Sequence, residues 1–145
     1  MRIEAYLRVL SHESTIRAIH LAANLPDAKI MELKARVSPV GGQEMWWNWE
    51  TAHVPIDIDD TDKGLKELLL AHRQIFPAIR KYEGPDTDIY LEVVMRYEEG
   101  EEPWGLYLSG ETVMLLSEMG GALDVDAVPL VHTIADGSLP VGDAR

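Results

Sequence analysis

The sequence has no cysteine, which excludes disulfides, thiolate metal sites and a cysteine nucleophile from its 145 residues. It has no apolar run close to the ~20 residues that cross a bilayer, and its start shows no apolar core of signal-peptide length. These absences lead us to expect a cytoplasmic protein that does not associate with membranes. A chain of this length can form one hydrophobic core without covalent cross-links.

Positive charge is also scarce, since 13 Lys and Arg stand against 25 Asp and Glu, a net charge of −12. Nucleic acids and anionic membranes attract basic surfaces, so both are poor partners for this chain. A basic protein, such as a nucleic-acid-degrading toxin, is a better electrostatic match. The other interpretation is that the acidity serves solubility alone.

Familiar catalytic motifs are missing as well. The sequence has no Gly-x-Ser-x-Gly elbow, and its glycine pairs, Gly41-Gly42 and Gly120-Gly121, lack the spacing of a phosphate-binding loop. We therefore predict no catalytic residues and no cofactor, and we do not favour an enzyme.

Hydrophobic periodicity predicts the secondary structure. Alternating apolar residues predict strands, the first over residues 2–10 and the others over 29–37, 45–51, 89–97, 104–108 and 123–128. Helical spacing predicts helices over residues 12–24, 61–73 and 110–120. Pro77 predicts a break near Gln74, followed by a short helix that ends near Tyr82. Residues 54–58 are expected to bridge two elements.

This order predicts an α+β fold, a mostly antiparallel sheet of five or six strands with about three helices packed on one face. The first six elements fit a ferredoxin-like core. We expect Ser11 and Ser109 to cap helices and Gly120-Gly121 to end the last one. The predicted domain covers residues 1–128, and residues 129–145 are predicted to be a C-terminal tail.

Three segments resemble the bacterial domain-of-unknown-function family 4279. They are the opening strand with Ser11 and a helix ending at Leu25-Pro26, the tryptophan strand ending in Trp49-Glu50-Thr51, and residues 108–126, Leu-Ser-Gly-Glu to Asp-Val-Asp. The resemblance covers about residues 1–128, while the less basic segment 30–45 and the tail depart from the family. Because some relatives lie near bacterial toxin genes, the resemblance implies an immunity protein.

Tryptophan is concentrated in one predicted strand. Trp47 and Trp49 share one side of that strand and Trp46 takes the other. The pair is expected in the core. Trp46 either covers a sheet edge or forms, with Trp104, an exposed aromatic platform for a partner.

Two acidic groups allow competing interpretations. Asp57, Asp59, Asp60 and Asp62 follow His53 and could be metal ligands, but the calcium-loop pattern fails and helix capping explains them, so we predict no metal site. Asp124 and Asp126 fall on the same side of the last strand. Such a pair can share a proton, hold a cation or simply face solvent.

The favoured function is a protein-binding module, an immunity or inhibitor protein that neutralises a bacterial toxin through an acidic, tryptophan-bearing surface. Its predicted partner-binding residues are Trp46, Trp104, Glu98, Glu99, Glu101 and Glu102. The alternative is a small-ligand-binding protein or enzyme that uses His53, Asp124 and Asp126 in a cleft. A third possibility is a housekeeping interaction domain without an inhibitory role.

Overall fold

The computed structural model describes residues 1–37, 43–103 and 105–130. In chain order the elements are β1 (Arg2–Ser11), α1 (Glu13–Ala23), β2 (Lys29–Val37), β3 (Gln43–Glu50), β4 (Val54–Ile56), α2 (Thr61–Ala71), α3 (Phe76–Tyr82), β5 (Asp88–Tyr97), α4 (Gly110–Met119) and β6 (Ala122–Pro129). A single 3-10 turn, Arg73–Ile75, separates α2 from α3.

The strands form one six-stranded sheet in the order β2-β3-β1-β5-β6. Strands β3 and β4 share one edge of β1: β4 pairs with the first residues of β1, and β3 pairs with the last residues of β1. Every neighbouring pair is antiparallel except β5 and β6, which run parallel. This confirms the predicted α+β class, with four helices in the described residues where the fold prediction gave about three; the fourth, α3, is the short helix predicted after the break near Gln74. The order β2-β3-β1-β5 also places β3 between β1 and β2, as in the split β-α-β arrangement of a ferredoxin-like core.

The helices pack against one face of the sheet, which we call the helix-covered face. Alternate residues of β1 and β5 point to it and are buried with Trp49 of β3 against apolar side chains of all four helices. They are Ile3, Ala5, Leu7, Val9, Ile89, Leu91, Val93 and Met95. The core predicted for Trp47 and Trp49 is confirmed, since Trp49 is fully buried and the half-buried Trp47 packs against the same cluster.

Local sequence signals explain where the helices begin and end. The predicted break near Gln74 is confirmed by the 3-10 turn, and Pro77 lies in the first turn of α3, where its missing N–H is harmless. The Ser109 side chain accepts a hydrogen bond from the Thr112 N–H and caps α4. Gly120 ends α4 at φ +77°, and a Cβ atom there would meet the Arg80 guanidinium.

Some predicted elements are wrong. Ser11 is not a helix cap: it is the buried last residue of β1, and its hydroxyl lies 2.9 Å from that of Thr87. The predicted bridging segment contains strand β4. Residues 105–109 are not a strand, and Trp104 lies outside the described residues.

The predicted tail boundary lies inside the last strand. Pro129 belongs to β6, and the Leu130 N–H donates to the Tyr97 carbonyl at 2.7 Å. Residues 131–145 of that tail lie outside the described residues. In the part of the chain that the structure describes, we find no helix of the length and apolarity needed to cross a membrane.

Candidate functional site

Polar and charged side chains occupy the opposite face of the sheet, which we call the charged face. Because successive strand residues alternate, the positions between those of the core point to it. Its charged and polar members include Glu4, Tyr6, Arg8, Asn48, Glu50, Glu92, Arg96, Asp124 and Asp126, with Arg2, Lys29 and Asp88 at the starts of their strands. Centrally placed members are buried even though they are polar: Asn48 and Glu92 are nearly inaccessible to solvent. Buried polar groups on a sheet face are costly unless they are paired, so this face is the candidate site.

Three carboxyl groups meet across β5 and β6, and we call them the acidic cluster. Glu92 lies directly opposite Asp124 in the parallel register, and Asp126 follows two residues later on the same side. One oxygen from each residue lies within 4.8 Å of the others. Glu92 is buried, Asp124 is half-buried and Asp126 is exposed, so the cluster can be reached from solvent through β6.

The environment of Glu92 disfavours its charge. Burial, followed by repulsion from Asp124, raises the pKa of Glu92 to about 7, while Arg8 opposes the change and Asp126 adds to it. The Arg8 guanidinium forms a long ion pair with Glu92: its Nη1 lies 3.6 Å from Glu92 Oε2, beyond hydrogen-bond distance. Within the described part of the chain, no N–H or O–H donates to either Glu92 oxygen, and the Asp126 carboxyl is close enough to share a proton with Glu92. Glu92 therefore titrates near neutral pH, where proteins commonly use such groups for binding or proton transfer.

A chain of polar contacts continues from the cluster across β1 and β3. Arg8 Nε donates to Asn48 Oδ1 at 2.7 Å, and Asn48 Nδ2 donates to Glu50 Oε2 at 3.1 Å. Glu50 Oε1 lies 3.2 Å from His53 Nε2. These contacts hold Arg8 toward β3, which explains why it approaches Glu92 only loosely.

The chain ends at a second group of charges around His53. The His53 ring stacks on Tyr6, with centroids 3.8 Å apart and planes 7° from parallel, and its Nδ1 lies 3.7 Å from Glu4 Oε1. Arg96 Nη2 donates to the same Glu4 oxygen at 2.9 Å. Burial, then the charges of Glu92 and Glu50, raises the pKa of Tyr6 to about 12. Tyr6 therefore stays neutral and acts as a packing surface.

The structure does not join His53 to Asp124 and Asp126. All three lie on the charged face, but Tyr6 contacts His53 on one side and Glu92 faces Asp124 on the other. Tyr6 and Glu92 are direct cross-strand neighbours, so they separate the histidine from the aspartates. Glu92, which the sequence did not single out, is the residue that completes the group around the aspartates.

The predicted tryptophan platform is only partly accessible. Trp46 is half-buried, and its ring stacks on His12 with centroids 5.6 Å apart. Trp104, the other member of the predicted platform, lies outside the described residues. Trp46 thus has a packing role that does not require a partner.

The acidic turn lies at the other end of the sheet. Glu98, Glu99, Glu101 and Glu102 are all exposed, and Glu101 accepts hydrogen bonds from the Glu98 N–H at 2.8 Å and from the Met1 amino group at 2.7 Å. The turn follows β5 beside the start of β1, whereas Trp46 lies beside its end. Strand rise places them about 30 Å apart. Trp46 and the acidic turn therefore do not form one patch.

The aspartates before α2 have structural partners, as the capping interpretation predicts. Asp60 accepts from the Lys63 N–H and caps α2. Asp62 accepts from the Ser109 N–H and the Thr112 hydroxyl, both at 2.8 Å, and so joins the starts of α2 and α4. Partial burial raises the pKa of Asp62, but these hydrogen bonds outweigh it and lower the pKa overall. The Asp62 carboxylate is therefore ionised, and its Oδ1 already accepts two hydrogen bonds within the fold.

No family model matches the chain, and a search of curated proteins finds no match either. The resemblance to the domain-of-unknown-function family stays a prediction.

Proposed function

We propose that this protein is a binding protein that engages a basic protein partner through its charged face. The observation that supports this most is the excess of acids on that face, where, among the described residues, Glu4, Glu50, Asp88, Glu92, Asp124 and Asp126 stand against Arg2, Arg8, Lys29 and Arg96. A cationic side chain placed over β6 would meet the half-buried and exposed carboxyls of the acidic cluster. An immunity role against a basic toxin, in the cytoplasm, is the form of this function that we favour.

The proposed surface differs from the one expected from the sequence. The exposed glutamates of the acidic turn and Trp46 are far apart, so they cannot together surround one partner side chain. The charged face instead has fixed carboxyls on strands, and preorganised charges lose less entropy on binding than charges on a turn.

A small-ligand enzyme using His53, Asp124 and Asp126 is less well supported. Its three residues do not converge on one point, because Tyr6 and Glu92 lie between them. We therefore keep binding as the proposed function.

The experiment compares two variants that each lose two negative charges. Asp124→Asn with Asp126→Asn changes the charged face, and Glu99→Gln with Glu102→Gln changes the acidic turn. A partner isolated by pull-down is titrated against each variant and the wild type at two salt concentrations. We expect the charged-face variant to bind at least about tenfold more weakly, with a smaller salt dependence, and the turn variant to bind like the wild type.

The other outcomes each decide against part of the proposal. Equal weakening by both variants would mean that only net charge matters. Weakening by the turn variant alone would move the interface to the acidic turn. Binding that is unaffected by either variant and by salt would contradict an acidic interface.

A further inference from the structure

The acidic cluster has the geometry of a cation site because strand pairing places its three acidic side chains on one side of two adjacent strands. Glu92 and Asp124 are paired neighbours in the sheet, and Asp126 is held on the same side of β6 by strand alternation. Their nearest oxygens all lie within 4.8 Å of one another. Like charges at this separation repel, so the cluster needs something positive to bring them together.

Glu92 gives an independent reason to expect a ligand. Its side chain is only 1% exposed, and neither carboxyl oxygen accepts a hydrogen bond from an N–H or O–H donor of the described residues; the Asp126 carboxyl, which is close enough to share a proton with it, is another acid. Arg8 does not meet the need, because its Nε is hydrogen-bonded to Asn48 and its Nη1 stays 3.6 Å away. A buried carboxyl without partners is rare in folded proteins and usually marks an ion, a water or a proton that completes the site. Here the unpartnered oxygens belong to a cluster that opens to solvent at Asp126.

We propose that Glu92, Asp124 and Asp126 bind one hard divalent cation. The donors are all carboxylate oxygens, which suit Ca²⁺, Mg²⁺ and Mn²⁺ and give no advantage to softer metals. The binding does not depend on a protein partner, so the inference goes beyond the proposed function.

The ligand set favours calcium over magnesium. Mg²⁺ demands a near-octahedral arrangement and is usually held by one or two carboxylates with several waters, whereas Ca²⁺ accepts more carboxylates in a flexible geometry. Three carboxyls from two strands, with oxygens within 4.8 Å of one another, match the calcium pattern better. The solvent side of Asp126 leaves room for the water ligands that would complete the coordination.

A proton is the competing occupant. A neutral Glu92 has one O–H that can be donated to a neighbouring carboxylate, which would relieve the same repulsion without a metal. The two occupants differ in one measurable way: only a metal gives a saturable response to CaCl₂ that NaCl at equal ionic strength does not reproduce.

The test is calorimetric titration of the full chain, freed of metal with a chelator, with CaCl₂ and separately with MgCl₂ at pH 8. We expect one equivalent of Ca²⁺ to bind more tightly than Mg²⁺. Glu92→Gln keeps the side-chain shape and should weaken Ca²⁺ binding at least tenfold, as should Asp124→Asn. Glu99→Gln with Glu102→Gln is the matched control and should bind like the wild type. Circular dichroism without metal verifies that each variant is folded.

Three results would overturn the proposal. One is no saturable heat with either cation at millimolar concentration, and another is equal affinity in the wild type and a folded Glu92→Gln variant. Either would assign the cluster to a proton or to a basic side chain of a partner. Tighter binding of Mg²⁺ than of Ca²⁺ would contradict the choice of calcium.

Discussion

Leu91 and Glu92 are consecutive residues of β5, and both are completely buried, but they face opposite sides of the sheet. Leu91 lies on the helix-covered face among apolar side chains. Glu92 lies on the charged face beside Asp124, and it forms only a long ion pair with Arg8. Burial removes both from water, which stabilises the fold in the first case and opposes it in the second. The same strand thus supplies stability on one face and an unsatisfied charge on the other.

The comparison shows that the two faces answer different demands. The helix-covered face contains the apolar cluster that holds the helices to the sheet. The charged face keeps Glu92 at a site where an apolar residue would be less costly, since replacing buried charges by apolar groups is often neutral or stabilising. A buried charged residue that destabilises the fold is a candidate for a functional role, and the acidic cluster is therefore the proposed binding site.

The largest effect is expected on the helix-covered face. Leu91→Ala removes a buried side chain from the centre of the sheet and should lower the free energy of unfolding by about 2 to 5 kcal/mol. Urea denaturation followed by circular dichroism measures this loss. A loss below about 1 kcal/mol would mean that this face is loosely packed and that the contrast with Glu92 is weak.

The neighbouring substitution should act in the opposite direction at alkaline pH. Folding raises the pKa of Glu92 from about 4.5 to about 7, so the folded state holds this proton more tightly than the unfolded state does. The corresponding stability is present below pH 4.5 and is lost as the pH rises through 7. Glu92→Gln cannot ionise and avoids this loss. At pH 8 it should therefore raise the free energy of unfolding by about 1 to 3 kcal/mol.

We expect the difference in the free energy of unfolding between the wild type and Glu92→Gln to increase with pH. Denaturation of the wild type and Glu92→Gln at pH 4, 6 and 8 isolates the contribution of the acidic cluster, because titrations of groups that do not interact with Glu92 cancel. A constant difference across the series would show that Glu92 does not titrate between these values. Asp126→Asn, at an exposed position of the same cluster, is the control and should give a smaller gain.

The smallest effect is expected for an ion pair on the surface of the helical layer. Lys66 Nζ lies 3.2 Å from Glu111 Oε2 and joins α2 to α4, but the glutamate is largely exposed. Lys66→Ala should change the free energy of unfolding by less than about 0.5 kcal/mol, because exposed pairs contribute little. Thermal unfolding at low and high salt tests this value. A clearly larger loss would mean that surface charges on the helical layer also matter to the fold.

Much of the fold was predictable because periodicity records which side of an element is buried. The alternation in β1, the Pro77 break and the left-handed Gly120 all follow from local rules, and the structure confirms them. The strand predicted over residues 104–108 was wrong for a reason outside that segment. Leu106 and Leu108 are half-buried and Tyr107 is exposed, as in a strand, but β1 and β6 already occupy both edges of β5.

The candidate site was only partly predictable. Alternation correctly placed Asp124 and Asp126 on one side of β6, but it could not say which strand lies beside them. Strand order and register depend on long-range packing, so the approach of Glu92 was invisible in the sequence. One signal was available: Glu92 is a lone acid between Leu91 and Val93, in a strand predicted to be buried on both faces. An acidic residue in a strand that is buried on both faces indicates a candidate functional residue.

The parallel pairing of β5 and β6 confines the electrostatic cost to one edge of the sheet. Because β6 is connected to β5 through α4, the repulsion between Glu92 and the two aspartates exists only while β6 is docked. When this edge strand detaches, both aspartates leave with it and Glu92 regains water. Local opening is therefore favoured at β6, while the pairing of β1 with β3 is unaffected. A single bound proton or cation at this edge is enough to change how often the strand opens.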